Sequence, residues 1–284
     1  MIPIRDLLHS RRFPVVTVSL IVINLLIVLY QGYLGTREPL WDNWTDERAV
    51  WTQEGHESPP IFDPYYAYTT RRLPGQSPMT YAISQDDWFL MQYALVPDEF
   101  LGGVDLPPKI PIPIWLTLFT SMFLHGSILH VLGNMLYLWV FGDNVEDAMG
   151  PVRFLIFYLL CGTVASFSQI AVGAGSSVPL VGASGAIAGV LAAYFMLYPY
   201  ARVLTIIPIF FFLRLVPIPA VFLIGFWFVL QLISGAGALG TTTGVAWFAH
   251  IGGFLAGLLL VFLFRRRGVP VTLWNTLRRG RTRR

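Results

Sequence analysis

The sequence predicts an all-α polytopic membrane protein with six transmembrane helices and a long outer loop between the first two. Three observations support this fold class. The 284 residues are 55% hydrophobic and only 12% charged, whereas soluble domains carry about 25% charge. Six apolar runs approach the roughly 20 residues that a helix needs to cross a ~30 Å hydrocarbon core. The charges are also divided unequally between the segments that join these runs.

The predicted spans follow one another with one long interruption. They are 14–33, 126–143, 152–173, 184–199, 217–234 and 245–264. The first is too long and apolar, and lacks a small-residue cleavage site, to be a cleaved signal peptide. We therefore expect three parts. They are an N-terminal tail over 1–13, a transmembrane domain over 14–264 with a long outer loop over 34–113, and a basic C-terminal tail over 265–284.

Charge sets the predicted orientation. The segment 34–113 holds twelve of the sixteen acidic residues but only five of the nineteen basic ones. Because cytoplasmic loops collect Lys and Arg, both termini are expected to be cytoplasmic and the long loop to lie outside. The basic tails could also be nucleic-acid arms. Their position beside membrane spans favours contact with anionic lipid, so we expect a lipid bilayer and no nucleic acid as partner.

Two connecting segments carry a structural expectation of their own. Residues 85–100 surround an aromatic stretch with charged ends, a pattern typical of a short helix on the outer interface. The loop 200–216 is apolar, flanked by arginines and short for a span. We expect it to be a re-entrant or interfacial segment.

Three polar residues in the spans share one depth. His130, Ser184 and His250 each lie near the start of a span that is predicted to run inward. At 1.5 Å per residue, all three fall within roughly 10 Å of the outer end. His130 and Asn134 are spaced i, i+4 on one helix face. They could hold a negatively charged oxygen or form a hydrogen-bonded helix contact. His125 at the rim is expected to orient a loop.

Small residues surround the serine and the last histidine. They form two thin helix faces, at Gly185 and Gly189 and at Gly252, Gly253 and Gly257. Taken alone, such faces indicate only close helix packing. The same close approach would bring the Ser184 hydroxyl within ~3 Å of the His250 imidazole.

A serine and a histidine in contact predict nucleophilic catalysis. His250 would take the Ser184 proton as the hydroxyl attacks a carbonyl. The Ser184 backbone N–H with His130 and Asn134 would hold the oxyanion. Because no acidic residue lies at this depth, we expect a dyad whose histidine is oriented by packing or by a neutral hydrogen bond. Cys161 is the only cysteine, and we expect no cofactor and no metal.

These motifs together resemble the rhomboid family of intramembrane serine proteases, of the bacterial type with a six-helix core. The stretches that match are HGSILH at 125–130 leading to Asn134, FGDNVED at 141–147, GASG at 182–185 and AHIGG at 249–253. The resemblance implies a multi-pass protein of a prokaryotic plasma membrane that cleaves transmembrane proteins near or within their span. Ser184 would be the nucleophile, His250 the base, and His130 and Asn134 the oxyanion donors.

The resemblance also implies supporting roles. Glu146 would be structural and tie down the cytoplasmic end between the second and third spans. Gln169 could belong to a polar path that feeds water to the site. The aromatic cluster 226–228 would either line a lateral substrate entrance or simply face lipid.

The sequence departs from the family pattern at two places, and two other functions have to be weighed against proteolysis. Ala188 stands where some members carry a tyrosine that stacks on the histidine, so the sequence leaves open what orients His250. The outer loop is enlarged between 31 and 85. An inactive relative that escorts membrane clients would lack the serine or the histidine. A transporter would distribute polar groups through the bilayer midplane, whereas here they gather at one depth.

Overall fold

The computed structural model describes most of the chain. The described residues are 1–38, 40–42, 69–71, 80–103, 105, 109–209, 212–238 and 245–275. Most of the enlarged outer loop and the last arginines of the C-terminal tail lie outside these residues, so predictions about them stay untested. Every predicted span coincides with a helix whose ends lie within six residues of the expected bounds.

Eight helices are labelled here in chain order. They are α1 (Val15–Gly35), α2 (Gln85–Tyr93), α3 (Pro97–Gly102), α4 (Ile128–Met149), α5 (Pro151–Val172), α6 (Ser184–Leu197), α7 (Ala220–Gly237) and α8 (Trp247–Phe264). A further helical segment, Ile114–Phe123, precedes α4. The predicted interfacial helix is divided into α2 and α3, since the chain is extended at Ala94 and Val96 and Pro97 starts a new helix.

The helices are those of a multi-pass membrane protein. Among the described residues, α1, α5, α7 and α8 are each long and apolar enough to cross a bilayer, and Ile114–Phe123 together with α4 makes a fifth candidate. Of the helices in the six predicted spans, only α6 is not among these candidates. It has 14 residues and is buried along almost its whole length. A short helix can be this apolar on every side because other helices cover all of its faces.

The all-α expectation missed two small antiparallel sheets. The loop 200–216 is not re-entrant but a β-hairpin of β5 (Arg202–Ile209) and β6 (Phe212–Pro219). The strand β1 (Ile2–Asp6) pairs with β5, which gives the order β1-β5-β6. β-branched residues favour the strand, and three prolines (Pro208, Pro217 and Pro219) exclude a helix. The second sheet joins β2 (Leu40–Asp42), β4 (Thr80–Ile83) and β3 (Thr69–Arg71) in that order.

The chain divides into two compact units, each taken here by itself. The first comprises residues 1–23, 129–169 and 183–284, and the second 24–128 and 170–182. In the second unit, Leu90, Ala94 and Leu124 form a buried apolar cluster. The Gln31 amide donates to the His125 carbonyl oxygen (3.2 Å) and accepts from the His125 N–H (3.3 Å). Gln31 therefore holds His125 through its backbone, and the expected loop-orienting role of the His125 side chain stays a prediction.

In the first unit, Glu146 anchors the start of α1. Its carboxylate accepts hydrogen bonds from the Val16 N–H (3.0 Å), the Thr17 N–H (2.8 Å) and the Thr17 hydroxyl (2.8 Å). A carboxylate is favourable at a helix N-terminus because the first N–H groups lack partners within the helix. Glu146 was expected to act between the second and third spans; its partners belong to the first helix.

A second polar contact fixes the sheet to the helices of the first unit. Oδ2 of Asp6, at the end of β1, accepts hydrogen bonds from the Tyr194 hydroxyl and from the Asn144 side-chain amide, both at 2.8 Å. Asp6 is buried, and burial raises the pKa of its carboxyl to about 7, against the opposing effect of the Tyr194 hydrogen bond. One buried side chain thus joins β1, α4 and α6.

Candidate active site

Ser184 is placed by the turn that begins α6. It is the first residue of the helix, and Gly182, two residues earlier, has φ +116°. Residues that carry a Cβ are strained in this backbone conformation, so the turn depends on glycine. Because the first N–H groups of a helix have no partner within it, the Ser184 backbone can offer a hydrogen-bond donor beside its own hydroxyl.

His250 lies in the first turn of α8, and Gln169 holds that turn. Oε1 of Gln169, from α5, accepts hydrogen bonds from the N–H groups of Phe248 (3.1 Å) and Ala249 (3.3 Å). The first N–H groups of a helix lack i−4 partners within it, although the Ala249 N–H also donates to the Ala246 carbonyl oxygen at 3.1 Å. The predicted part of Gln169 in a water path stays untested. Its contacts show a structural role, which is to position the turn that carries His250.

The serine and the histidine are in contact. Oγ of Ser184 lies 2.7 Å from Nε2 of His250, although 66 residues separate them along the chain. This is hydrogen-bond distance for a hydroxyl and an imidazole nitrogen. The proximity expected from their shared depth is therefore present in the structure.

Glycines allow this contact by letting α6 and α8 approach at backbone distance. A Cβ at Gly253 would collide with the carbonyl oxygen of Gly185, and a Cβ at Gly257 with that of Gly189. The two thin faces expected from the sequence do pack against each other. The packing interpretation of these glycines and the catalytic interpretation of Ser184 are thus compatible, since the first produces the geometry that the second needs.

Gln231 orients His250, and the sequence analysis missed it. Its Oε1, on α7, lies 2.8 Å from Nδ1 of His250, and its amide nitrogen donates to the Trp227 carbonyl oxygen at 3.3 Å. The neutral hydrogen bond that the sequence left open is therefore supplied by an amide. A glutamine in the middle of an otherwise apolar span was the available signal, since buried polar groups require partners.

Two tryptophan rings flank the imidazole of His250. The rings of Trp227 and Trp247 lie 6.0 and 6.2 Å from that of His250, centroid to centroid. Phe228 stacks on Phe254 of α8 at 4.1 Å, whereas Phe226 is exposed. The cluster 226–228 therefore does not face lipid as a whole, because two of its three rings pack toward α8.

The two predicted oxyanion donors lie on α4. Asn134 is buried and His130 is partly buried. They are four residues apart and therefore lie on one face of that helix, one turn from each other.

Comparison with known proteins identifies the fold. A Rhomboid domain matches residues 113–267, which is more than half of the chain. The chain belongs to the rhomboid family. The matched region of this rhomboid protein contains Ser184 and His250 together with His130, Asn134 and Gln231.

Curated relatives agree with this assignment. The rhomboid chain is 35% identical over 174 residues to RHOMBOID-like protein 1 of Arabidopsis thaliana, covering 58% of this chain and 39% of the relative. It is 30% identical over 169 residues to the human Presenilin-associated rhomboid-like protein, mitochondrial, covering 56% and 41%. It is 32% identical over 191 residues to RHOMBOID-like protein 4 of Arabidopsis thaliana, covering 64% of this chain and 42% of the relative. The chain thus spans about two fifths of the length of these relatives.

Proposed function

We propose that this rhomboid protein is a serine endopeptidase that cleaves transmembrane proteins near or within their membrane span. The observation that carries the proposal is the 2.7 Å contact between Oγ of Ser184 and Nε2 of His250. A serine hydroxyl that donates to a neutral imidazole is the starting arrangement of a hydrolase nucleophile and its base. No cofactor or metal enters this scheme.

The partners of Gln231 support the tautomer that the reaction needs. Its amide nitrogen donates to the Trp227 carbonyl oxygen, and its amide oxygen points at Nδ1 of His250. Since an amide oxygen only accepts, Nδ1 carries the imidazole proton and Nε2 keeps its lone pair. Nε2 can then accept the proton of Ser184, and the amide oxygen stabilises the imidazolium that results.

The reaction proceeds in two acyl-transfer steps. Oγ of Ser184 bonds to the scissile carbonyl carbon while its proton moves to His250, which then protonates the departing amine as the peptide bond breaks. Water next attacks the acyl-serine with His250 again as base. The carboxylic acid leaves and the serine hydroxyl is restored, so each cycle consumes one water for one peptide bond.

Oxyanion stabilisation is assigned to three donors. The Ser184 N–H at the start of α6 lies beside the nucleophile, and His130 and Asn134 are supplied by α4. Fixed donors aimed at a developing negative charge are worth most where water is excluded. The burial of Asn134, the partial burial of His130 and their position on one face of α4 support this role.

The length of α6 supports a reaction below the membrane surface. Its 14 residues extend about 21 Å, which is less than the ~30 Å of a hydrocarbon core. If its C-terminal end lies at one surface, Ser184 lies some 9 Å below the other. In our proposal the serine faces outward in a prokaryotic plasma membrane, with both termini cytoplasmic, as the distribution of arginines favours.

Labelling with a serine-reactive fluorophosphonate tests the proposal. Wild type should be labelled in detergent and should cleave a single-span reporter in proteoliposomes, whereas Ser184→Ala and His250→Ala should do neither while staying folded. Ser168→Ala is the matched control, because the Ser168 hydroxyl is bonded to the Val164 carbonyl oxygen on α5. If Ser184→Ala were labelled and cleaved the reporter at the wild-type level, the serine mechanism would be refuted.

A further inference from the structure

Arginines line an open crevice of about 980 Å³ where the end of α8 meets the start of α5. The Arg266 N–H, just after α8, donates to the carbonyl oxygen of Ala148, near the end of α4, at 2.9 Å. We call this feature the arginine crevice. Its principal lining residues are Val152, Arg153, Leu263, Arg265, Arg266 and Arg267.

The positive charge of the arginine crevice is not balanced by acidic side chains in its lining. Four guanidinium groups line it, and no carboxylate does so among the residues that the structure describes. Nη1 of Arg265 donates to the Val269 carbonyl oxygen, and its Nε is buried without a hydrogen-bond partner in the described part of the chain. Like charges held together repel one another, so an anion bound among them would be stabilised.

A glycine makes room for one of these guanidinium groups. Gly150, between α4 and α5, has φ +87°. A Cβ added there would lie 2.8 Å from Nη2 of Arg266. The Arg266 side chain therefore lies against bare backbone. Gly150 thus gives the Arg266 guanidinium room at the crevice, which also has Gly150 in its lining.

The walls of the arginine crevice are apolar and uncovered. The side chains of Val152 and Leu263 are 70% and 74% exposed, and both belong to helices that are apolar enough to cross a membrane. Phe262 and Trp274 extend this surface, with ring centroids 5.8 Å apart. A free phosphate ion would gain nothing from such walls, whereas a phospholipid places its phosphate and its acyl chains within one molecule.

We propose that the arginine crevice is a binding site for an anionic phospholipid. The lipid phosphate lies among Arg153, Arg266 and Arg267, and an acyl chain runs along Val152 and Leu263. Arginines beside a membrane span attract anionic headgroups at the cytoplasmic leaflet, the side on which the charge distribution predicts this end of the helices. The site is separate from the proposed dyad and does not depend on proteolysis.

Lipid titration of the purified full chain tests the site. Phosphatidylglycerol, or phosphatidylcholine with the same acyl chains, is added to protein in detergent while the thermal unfolding midpoint and the lipid-bound mass in native mass spectrometry are followed. A ligand that binds the folded state raises the midpoint. Phosphatidylglycerol should do so at lower concentration, and the double variant Arg153→Gln/Arg267→Gln should weaken its apparent affinity about thirtyfold.

The controls separate this site from general charge and from free phosphate. Arg202→Gln/Arg214→Gln removes two exposed arginines from the β5–β6 hairpin and should leave the affinity unchanged; an equal loss would overturn the proposal. Equal affinity of wild type for the two lipids would also overturn it, even if the crevice variant failed to fold. So would displacement of phosphatidylglycerol by inorganic phosphate at similar concentration, since the ligand would then be the free ion.

Discussion

The amide oxygen of Gln231 lies 2.8 Å from Nδ1 of His250, in the position that a carboxylate occupies in a Ser-His-Asp triad. Within a membrane an amide has an advantage, because it orients the imidazole without bringing a charge into a low-dielectric site. The cost is weaker stabilisation of the imidazolium, since hydrogen bonds to a neutral acceptor are weaker than those to a charged one. Gln231 is thus a positioning residue in the proposed dyad.

Gln231→Leu should lower kcat about 10- to 100-fold and leave KM nearly unchanged. The lost hydrogen bond is to a group that becomes charged, which contributes about 1.5–3 kcal/mol. Gln231→Glu restores an acceptor, so it should recover most of kcat and add an ionisation to the pH profile. Leu232→Ala, at an exposed position beside it, is the control. Unchanged kcat and pH profile in Gln231→Leu would rule out the positioning role.

Asn134→Ala should reduce kcat without abolishing it. One of several oxyanion donors contributes about 3–4 kcal/mol to transition-state stabilisation, which corresponds to a loss of two to three orders of magnitude. Reporter cleavage in proteoliposomes should therefore stay measurably above that of Ser184→Ala. If the two variants were equally inactive, the assignment of Asn134 as one donor among three would be wrong.

Gly253→Ala should destabilise the protein and impair catalysis together. The new methyl group would meet the Gly185 carbonyl oxygen, and overpacking of this kind costs about 1–3 kcal/mol. Since Gly185 follows Ser184, separating α6 from α8 would also lengthen the contact with His250. Gly32→Ala is the matched control on α1, because a Cβ there meets no atom within 4 Å. Thermal unfolding and fluorophosphonate labelling should both distinguish the two variants.

Stability should fall as pH rises from about 4 to about 7, and Asp6 should account for part of the fall. Burial raises the pKa of Asp6 in the folded state from 3.8 to about 7. Over that interval the folded protein keeps a proton that the unfolded chain has lost, so deprotonation favours unfolding. Asp6→Asn keeps a neutral side chain at all pH values and should flatten the unfolding midpoint over this range. An unaltered slope in Asp6→Asn would assign the effect to other groups.

The sequence predicts the helices well because a bilayer imposes length and apolarity on every span. The proximity of Ser184 and His250 could be predicted from their shared depth, since the predicted orientation fixes which end of each helix is outer. The glycine faces could be predicted from the sequence too, because small residues at helical spacing indicate close packing. Shared depth and the spacing of small residues were therefore enough to predict the contact between Ser184 and His250.

The sheet and Gln231 could not be found in this way. β5 is apolar and lies between two spans, so its composition resembles that of a membrane-associated segment, and its partner β1 is remote in sequence. Its other partner, β6, follows it directly, and the prolines at 208, 217 and 219 were the available signal against a helix. A lone glutamine in α7 indicates that a partner exists but not which one. The partners of Glu146 could not be predicted for a similar reason, because Val16 and Thr17 are distant from it in the chain.

The pairing of Ile2 with Ile206 in the first sheet has a consequence for biogenesis. The strand β1 leaves the ribosome before α1, α4, α5 and α6 have been synthesised, and its partner β5 follows all of them. The hydrogen bond between Asp6 and Tyr194 likewise cannot form until Tyr194 has been synthesised. Closure of this sheet is therefore a late event that requires the preceding segments to have been inserted in the correct order.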